Sequence, residues 1–231
     1  MIQLQELHIG YQRELLRTEH LFLAAGKVYA LVGRNGIGKS TLIQTMAGLQ
    51  KQLAGEITIN GQSVSSLNPQ EIAETISLVD TRFEGVEYLK VKDYLALGRA
   101  PYTDLFGRLG VKDWQMVESV ASDLSIIHLL DKFTDEISDG ERQLCAVGRA
   151  FVQETPVILL DEPTAFLDYI NRKKLLALLK LLSAEKHKCI VLSTHDLDLC
   201  LDHSIPFLLA AHGEIRIHAS LSKEEIIQAM S

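Results

Sequence analysis

Cysteine is scarce in this sequence, with 3 residues in 231, and no pair of them has C-x-x-C spacing. The three are Cys145, Cys189 and Cys200, and each lies in or near an apolar stretch. An odd number of buried cysteines without paired spacing does not indicate a disulfide framework or a zinc site. We therefore expect three buried thiols in a reducing compartment.

Long apolar runs and blocks of one charge are also missing. No apolar stretch reaches the ~20 residues of a transmembrane helix, because the longest, around 175–182, is interrupted by Lys180. The first residues alternate like a strand and lack signal-peptide character. No Lys/Arg cluster stands out against a net charge of −7, so nothing indicates a nucleic-acid partner. The composition predicts a chain that is soluble by itself.

The hydrophobic pattern changes along the chain without repeats or low-complexity linkers. Residues 1–60 read as strands and turns, and residues 85–155 carry apolar residues at helical spacing. From Pro156 onwards, fully apolar strands at 157–160 and 189–192 flank a helix at 171–186, which favours a parallel sheet covered on both faces. We predict one α/β domain over 1–231, with a mainly parallel sheet, a β-rich N-terminal edge and a helical subdomain at about 85–155. Its helical segments are expected at 91–98, 114–130 and 144–153.

The most informative stretch is Gly-Arg-Asn-Gly-Ile-Gly-Lys-Ser at 33–40, which matches the phosphate-loop pattern G-x-x-x-x-G-K-[ST]. An apolar strand precedes it and a helix follows, as this motif requires. The loop amides would converge on a phosphate, Lys39 would reach the β- and γ-phosphates, and Ser40 would offer its hydroxyl to Mg²⁺. We predict a P-loop NTPase core that binds ATP and Mg²⁺. The expected phosphate-loop contacts are Gly33, Asn35, Gly36, Gly38, Lys39, Ser40 and Thr41.

Two further strands end in polar residues. Residues 157–160 run into Asp161 and Glu162, which should point to opposite sides of the strand and serve different roles. Asp161 is placed to hold the Mg²⁺ ligand sphere, and Glu162 to polarise the attacking water. His195 follows the strand at 189–192, and carboxyl ends of parallel strands share one rim. We expect it to contact the γ-phosphate and to hold Glu162, so Glu162, His195 and Lys39 are the predicted catalytic residues.

A second anion site is predicted at the start of the helix near 138–144. Ser138 and Glu141 have capping-box spacing, which by itself is a structural feature. Gly140 is a poor residue for a first helical turn, and capping leaves it unexplained. A serine hydroxyl, a glycine amide and a helix N-terminus can together bind an anion. Because the helical subdomain separates this site from Lys39, the pattern suggests a nucleotide held between two chains.

Taken together, the motifs resemble those of ABC-transporter nucleotide-binding subunits over nearly the full length of the chain. The resemblance rests on the phosphate loop, a signature-like Ser-Asp-Gly-Glu-Arg-Gln at 138–143, Leu-Leu-Asp-Glu-Pro at 159–163, a D-loop-like stretch at 164–168 and His195. Within that family, the stretch 97–109 is similar to importers of iron–siderophores, haem and cobalamin.

The resemblance implies further site residues and partners. Tyr11 matches the aromatic that stacks on adenine, and Asp168 matches the D-loop aspartate. Ser138, Gly140 and Glu141 would contact the nucleotide of the partner copy. The implied assembly is a homodimer with nucleotides at its interface, two copies of a transmembrane permease and a substrate-binding protein. The chain would lie on the cytoplasmic face of the plasma membrane.

Two positions depart from the family pattern. Asp139 stands where the family usually has a second glycine, and its carboxylate is unfavourable near a γ-phosphate unless it points away or caps the helix. The Gln-loop position is Thr81, whose hydroxyl has a shorter reach than a glutamine amide. Water could fill that gap, Asp80 could substitute, or coupling to the permease could differ. We expect Mg²⁺ to be held by Ser40, phosphate oxygens and water, with Thr81 reaching it at most through water.

Several alternative functions would require sequence features that differ from those of this chain. An ABC ATPase of DNA repair needs a long coiled-coil insertion, for which this chain has no room. A translation factor of the superfamily would contain two cassettes, and a catalytically dead subunit would not keep Lys39, Asp161, Glu162 and His195. An exporter ATPase, or the ATPase of another importer class, has the same chemistry, and only the stretch 97–109 argues against it.

Overall fold

The structure is a computed structural model that describes residues 1–81, 83–104, 106–219 and 221–230. Within these residues the chain forms ten strands and eight α-helices. The strands are β1 Ile2–Gly10, β2 Glu14–Leu23, β3 Lys27–Gly33, β4 Ala54–Ile59, β5 Gln62–Ser63, β6 Ile76–Val79, β7 Val157–Leu160, β8 Cys189–Ser193, β9 Phe207–Ala211 and β10 Glu214–His218. The helices are α1 Lys39–Met46, α2 Pro69–Thr75, α3 Val91–Ala96, α4 Val111–Asp123, α5 Asp139–Val152, α6 Tyr169–Glu185, α7 Leu197–Asp202 and α8 Lys223–Met230.

All ten strands join one sheet in the order β5-β4-β1-β2-β10-β9-β3-β8-β7-β6. Strands β9, β3, β8, β7 and β6 pair in parallel. Strands β5, β4, β1 and β2 pair antiparallel and form the N-terminal edge. Strand β10 lies between the two parts: it pairs antiparallel with β9 and in parallel with β2, the latter through the register pair Arg17 with Glu214. The β-rich edge next to a parallel core agrees with the predicted fold class.

Both faces of the parallel strands are buried, because successive side chains alternate between two apolar layers. Ile158 and Leu160 of β7 pack into the layer that contains the helices of residues 91–152. Val157 and Leu159 of the same strand pack into the layer that contains α1 and the N-terminal strands. The three cysteines are buried and free, as expected, and burial raises the pKa of each thiol to about 12.

The middle of the chain is helical, but one predicted helix differs. The segment expected as a helix at 114–130 begins earlier, at Val111, and its α-helix ends at Asp123. Ser125 then adopts a left-handed conformation with φ of 58°, which a continuing right-handed helix cannot contain. A short 3-10 helix at Ile127–Leu129 follows. Apolar spacing alone did not show this interruption, because Leu124, Ile126 and Leu129 on either side of the left-handed residue are all buried, whereas Ile127 is exposed.

Helix α5 connects the helical region to the edge of the parallel sheet. At its C-terminal end, Arg149 donates a hydrogen bond to the carbonyl of Leu78 (2.9 Å). The Gln153 amide, next to that end, donates to the carbonyls of Ala73 (2.7 Å) and Ile76 (3.2 Å). The C-terminal end of α5 is therefore anchored to α2 and β6, close to where β6 runs into Asp80 and Thr81.

Candidate nucleotide site

The phosphate loop joins β3 to α1 and depends on glycine at defined positions. Gly36 and Gly38 have φ of 76° and 118°, in the region that favours glycine. A Cβ at Gly33 would lie 2.6 Å from the Ala210 carbonyl oxygen, so this position needs glycine for close packing. Asn35 is exposed on the loop and Ser40 is exposed in the first turn of α1, whereas Thr41 beside it is buried.

Lys39 lies across its own loop. Its Nζ donates hydrogen bonds to the carbonyls of Gly33 (2.9 Å) and Arg34 (3.3 Å). Burial lowers the pKa of Lys39, while the charges of Glu162 and Asp161 oppose that shift. The ammonium group is therefore held at the mouth of the loop with two carboxylates nearby, which is where a triphosphate would need a positive charge.

The carboxyl ends of three adjacent strands bring the predicted catalytic residues together. Strand β8 lies between β3 and β7. Lys39 follows β3 after the loop, Asp161 and Glu162 follow β7, and His195 follows β8. His195 Nε2 lies 3.2 Å from Glu162 Oε1, so the histidine is in position to hold the glutamate. The neighbouring placement of these residues follows directly from the parallel order.

Asp161 and Glu162 point to different surroundings, as expected, but for a different reason. Strand β7 ends at Leu160, so strand alternation does not govern these two residues. Asp161 is 9% exposed and accepts a hydrogen bond from the hydroxyl of Ser193. Glu162 adopts φ of 50°, and this left-handed turn directs its carboxylate towards His195.

The residues at this rim suit a magnesium ion. Mg²⁺ prefers hard oxygen ligands and usually takes one or two of them from protein, with phosphates and waters completing the sphere. The Ser40 hydroxyl at the start of α1 and the largely buried Asp161 carboxylate are a donor set of that kind. The predicted metal residues therefore fit the ion chemically.

The signature residues form a complete capping box. The Ser138 amide and hydroxyl both lie 2.8 Å from Glu141 Oε2, and the Glu141 amide donates to the Ser138 hydroxyl (3.3 Å). These bonds to Ser138 lower the pKa of Glu141. A Cβ at Gly140 would lie 3.2 Å from the Phe166 carbonyl oxygen, which supplies a packing reason for glycine that capping did not. Ser138, Gly140 and Glu141 thus have structural roles whether or not they contact a nucleotide.

Asp139 does not cap the helix. Ser138 is the N-cap of α5, and Asp139 Oδ1 pairs with the guanidinium of Arg142 at 2.5 Å. Arg142 also donates to the carbonyls of Thr134 and Ile137. The extra carboxylate is therefore paired with a cation on its own helix, which reduces the repulsion it would exert on a phosphate.

Two other predicted residues have local roles. Asp168 is the N-cap of α6, and its Oδ1 accepts a hydrogen bond from the Asn171 amide (2.8 Å). Thr81 is half-buried beyond the end of β6, and Asp80 beside it is exposed.

Asp196, directly after His195, is a site residue that sequence reasoning missed. It accepts hydrogen bonds from the Thr164 hydroxyl (2.6 Å) and the Arg172 guanidinium (2.9 Å). Arg172 also donates to the Leu167 carbonyl (2.7 Å). Asp196 therefore joins the turn that carries His195 to the 164–168 segment and α6. Its position directly after His195 was a clue in the sequence that it belongs to the site. Its hydrogen-bond partners Arg172 and Thr164, however, lie 24 and 32 residues away in sequence.

Tyr11 lies in the turn between β1 and β2 and is 60% exposed. The alternative that it is a core tyrosine is therefore wrong, and its ring is available to stack on a base.

We expect Tyr11→Ala to raise the ATP dissociation constant severalfold, because aromatic stacking contributes about 0.5–1.5 kcal/mol beyond burial. Tyr11→Phe keeps the ring and should bind ATP as tightly as the wild type. A fluorescent ATP analogue or calorimetry measures both affinities. Equal losses in the two variants would instead indicate a hydrogen bond from the hydroxyl.

Comparison with known proteins agrees with the class that the fold and site define, a P-loop nucleotide-binding protein. Residues 16–165 match the family model described as "ABC transporter". An uncharacterised ABC transporter ATP-binding protein of Methanocaldococcus jannaschii is 37% identical over 87% of this chain and 70% of its own length. The petrobactin import ATP-binding protein of Bacillus anthracis is 30% identical over 89% and 75%. A thiamine import ATP-binding protein of Vibrio parahaemolyticus is 33% identical over 93% and 89%.

Solved structures share the fold. One, described as an inward-facing metal-chelate type ABC transporter, aligns with a TM-score of 0.84 and 25% identity over 99% of this chain and 88% of that chain. A dimeric ATP-binding cassette with bound ADP and Pi aligns at 0.81 and 23% identity over 94% and 98%. A bacterial Atm1-family exporter with bound ATP aligns at 0.76 and 21% over 93% of this chain and 38% of the exporter.

The chain belongs to the ABC transporter family. It is an ATP-binding cassette ATPase, and the predicted family, fold class and enzyme class are confirmed. Among the residues that the structure describes, no helix is both long and apolar enough to cross a membrane.

Proposed function

We propose that this chain powers an ABC importer of the metal-chelate class, whose cargo is an iron–siderophore, haem or cobalamin. The observation that carries the catalytic part is the contact of Glu162 with His195 on the rim where β3, β8 and β7 end. In this proposal Glu162 polarises the attacking water, and His195 holds Glu162 and contacts the γ-phosphate. Lys39 binds the β- and γ-phosphates.

The metal and nucleotide contacts follow from the same rim. Ser40 and Asp161 would hold Mg²⁺. The bound ion would neutralise the negative charge that develops on the transferred phosphoryl group. The phosphate-loop amides bind the phosphates, and Tyr11 stacks on the base. Proton movement is assigned to Glu162, since its carboxylate is half-buried and fixed by His195.

The nucleotide is proposed to lie between two copies of the chain. Ser138 and Gly140 start α5 in the helical subdomain at about 85–155, at the end of the helix opposite its anchor on β6. Each site then joins Lys39 of one copy to Ser138 and Gly140 of the other, with Glu141 and Asp168 beside them. Similarity to a dimeric cassette supports this arrangement. In the assembled transporter two permease copies and a substrate-binding protein complete the system at the cytoplasmic face.

The importer class rests on the stretch 97–109 and on the names of relatives. Relatives that import petrobactin and iron(3+)-hydroxamate are 30% identical to this chain, and a thiamine importer relative is 33% identical. The fold does not distinguish an importer from an exporter, because the cassette of an exporter also superposes on this chain. An exporter ATPase or another importer class is therefore the alternative.

Copurification from the native membrane tests the proposed class. We expect the tagged chain to bring down a separate multi-span permease, and mass spectrometry identifies it. Vesicles that contain this assembly should take up a ferric siderophore, haem or cobalamin only with ATP and a binding protein. Uptake of thiamine would reassign the cargo, and ATP-driven efflux would show the exporter alternative to be correct.

The Thr81 departure gives a prediction about the metal. Because a threonine hydroxyl is shorter than a glutamine amide, Thr81→Ala should leave the ATPase rate of the isolated subunit nearly unchanged. The assembled transporter should lose part of its substrate-stimulated rate. Asp80→Ala is the control, since Asp80 is the neighbouring carboxylate that could replace a metal ligand. An ATP–Mg²⁺ structure with the Thr81 oxygen bonded to the metal at ~2.1 Å would contradict the prediction.

A further inference from the structure

Ser193 is the last residue of β8 and is fully buried. Its hydroxyl oxygen lies 2.5 Å from Asp161 Oδ1 and accepts a hydrogen bond from the Glu162 amide at 2.8 Å. A serine hydroxyl has a single hydrogen. Since the Glu162 amide can only donate, the Ser193 hydrogen must go to the Asp161 carboxylate. One buried hydroxyl therefore fixes the metal-site carboxylate and the backbone of the water-activating residue at once.

The Glu162 backbone needs such a restraint. Its φ of 50° is uncommon for a residue with a side chain, and conformations of this kind persist only when the surroundings hold them. Ser193 binds the Glu162 amide, and the Glu162 carbonyl accepts a hydrogen bond from the Ala165 amide at 3.1 Å. Both backbone polar groups of Glu162 are thus occupied, and the turn that aims its carboxylate at His195 is held from two sides.

We propose that Ser193 is a positioning residue for hydrolysis, acting through Asp161 and Glu162. The inference rests on the proposed roles of those two residues in metal binding and water activation. Residues that orient metal ligands by hydrogen bonds commonly change metal affinity or activity by 10–100-fold when mutated. Ser193 does this for Asp161 and also holds the turn of Glu162, so its loss should affect metal binding and turnover together.

The chain offers a matched control in Ser183. It is also fully buried, and its hydroxyl donates one hydrogen bond, to the Lys188 carbonyl (2.9 Å), between α6 and β8. Ser183→Ala and Ser193→Ala each remove one buried hydroxyl. Both should lower the melting temperature, so a merely structural role predicts the same behaviour for both.

The experiment measures the affinity of Mn²⁺ for the ATP complex by electron paramagnetic resonance. It also measures kcat with the metal present and, separately, the affinity for ATP in EDTA. For Ser193→Ala we expect Mn²⁺ affinity and kcat each to fall about tenfold or more, with metal-free ATP affinity unchanged. Ser183→Ala should keep wild-type values for all three. Ser193→Thr retains the hydroxyl and should recover most of the loss, but the two alanine variants decide the question even if the added methyl group does not fit.

Mn²⁺ affinity and kcat within twofold of wild type in Ser193→Ala would overturn the inference, as would a loss of metal-free ATP binding, which indicates a role in folding. The Asp161→Asn variant distinguishes a failure of the role inferred for Ser193 from a failure of the proposed metal site. If Asp161→Asn keeps full Mn²⁺ affinity, the proposed metal site is wrong. If Asp161→Asn loses affinity and Ser193→Ala does not, only the role of Ser193 is wrong.

Discussion

Glu162→Gln should bind ATP but hydrolyse it about 10²–10⁴-fold more slowly than the wild type, the usual contribution of a general base. The amide keeps the size of the side chain and its position near His195, 3.2 Å away in the wild type, but it cannot accept a proton. ATP should therefore remain bound, and the variant should accumulate as an ATP-bound dimer. Steady-state phosphate release and size-exclusion chromatography with ATP measure the two effects.

A surface glutamate provides the control for this variant. Glu118 is exposed on α4, and Glu118→Gln removes the same charge away from the rim. It should hydrolyse ATP at the wild-type rate and remain in the same oligomeric state. A rate within threefold of wild type for Glu162→Gln would remove this residue from the mechanism.

Mixing two inactive variants should restore activity if each site is built from two chains. Lys39→Ala damages the phosphate loop, and Ser138→Arg damages the start of α5, so each alone should abolish turnover in a homodimer. An equal mixture forms heterodimers with one intact and one doubly damaged site. If closure needs a single intact site, about a quarter of the wild-type ATPase activity should return for a symmetric dimer.

The Ser138→Arg variant also loses its helix cap, which typically costs ~1 kcal/mol. Its melting temperature should therefore be measured beside its activity. Ser122→Arg, on the exposed surface of α4, is the control for adding an arginine to the helical region and should leave turnover unchanged. Normal activity of Ser138→Arg alone would contradict the two-chain site.

The parts of the site that were predictable are those set by local sequence. The glycine loop fixes its own backbone, and the apolar strands at β7 and β8 place Asp161, Glu162 and His195 on one rim because parallel strands share their polarity. The Ser138–Glu141 capping box was also visible, because its partners lie three residues apart.

The contacts that could not be predicted depend on residues distant in sequence or on backbone conformation. Ser193 ends an apolar strand, and only the pairing of β8 with β7 places its hydroxyl beside Asp161, 32 residues away. The left-handed φ of Glu162 has no signature in a non-glycine residue. Arg142 pairs with Asp139 within one helical turn, but its bonds to the carbonyls of Thr134 and Ile137 depend on how the preceding loop folds.

The anchoring of α5 makes this helix a lever arm. Its 14 residues span ~21 Å at 1.5 Å per residue, with Arg149 fastened to the Leu78 carbonyl near one end and Ser138 at the other. From Arg149 to Ser138 the helix covers ~17 Å, so a tilt of ~10° about Arg149 would carry Ser138 through ~3 Å, about the length of a hydrogen bond. A small rotation at the sheet edge next to Asp80 and Thr81 would therefore become a larger displacement at the start of α5, the part of the helix that we propose contacts the nucleotide of a second copy.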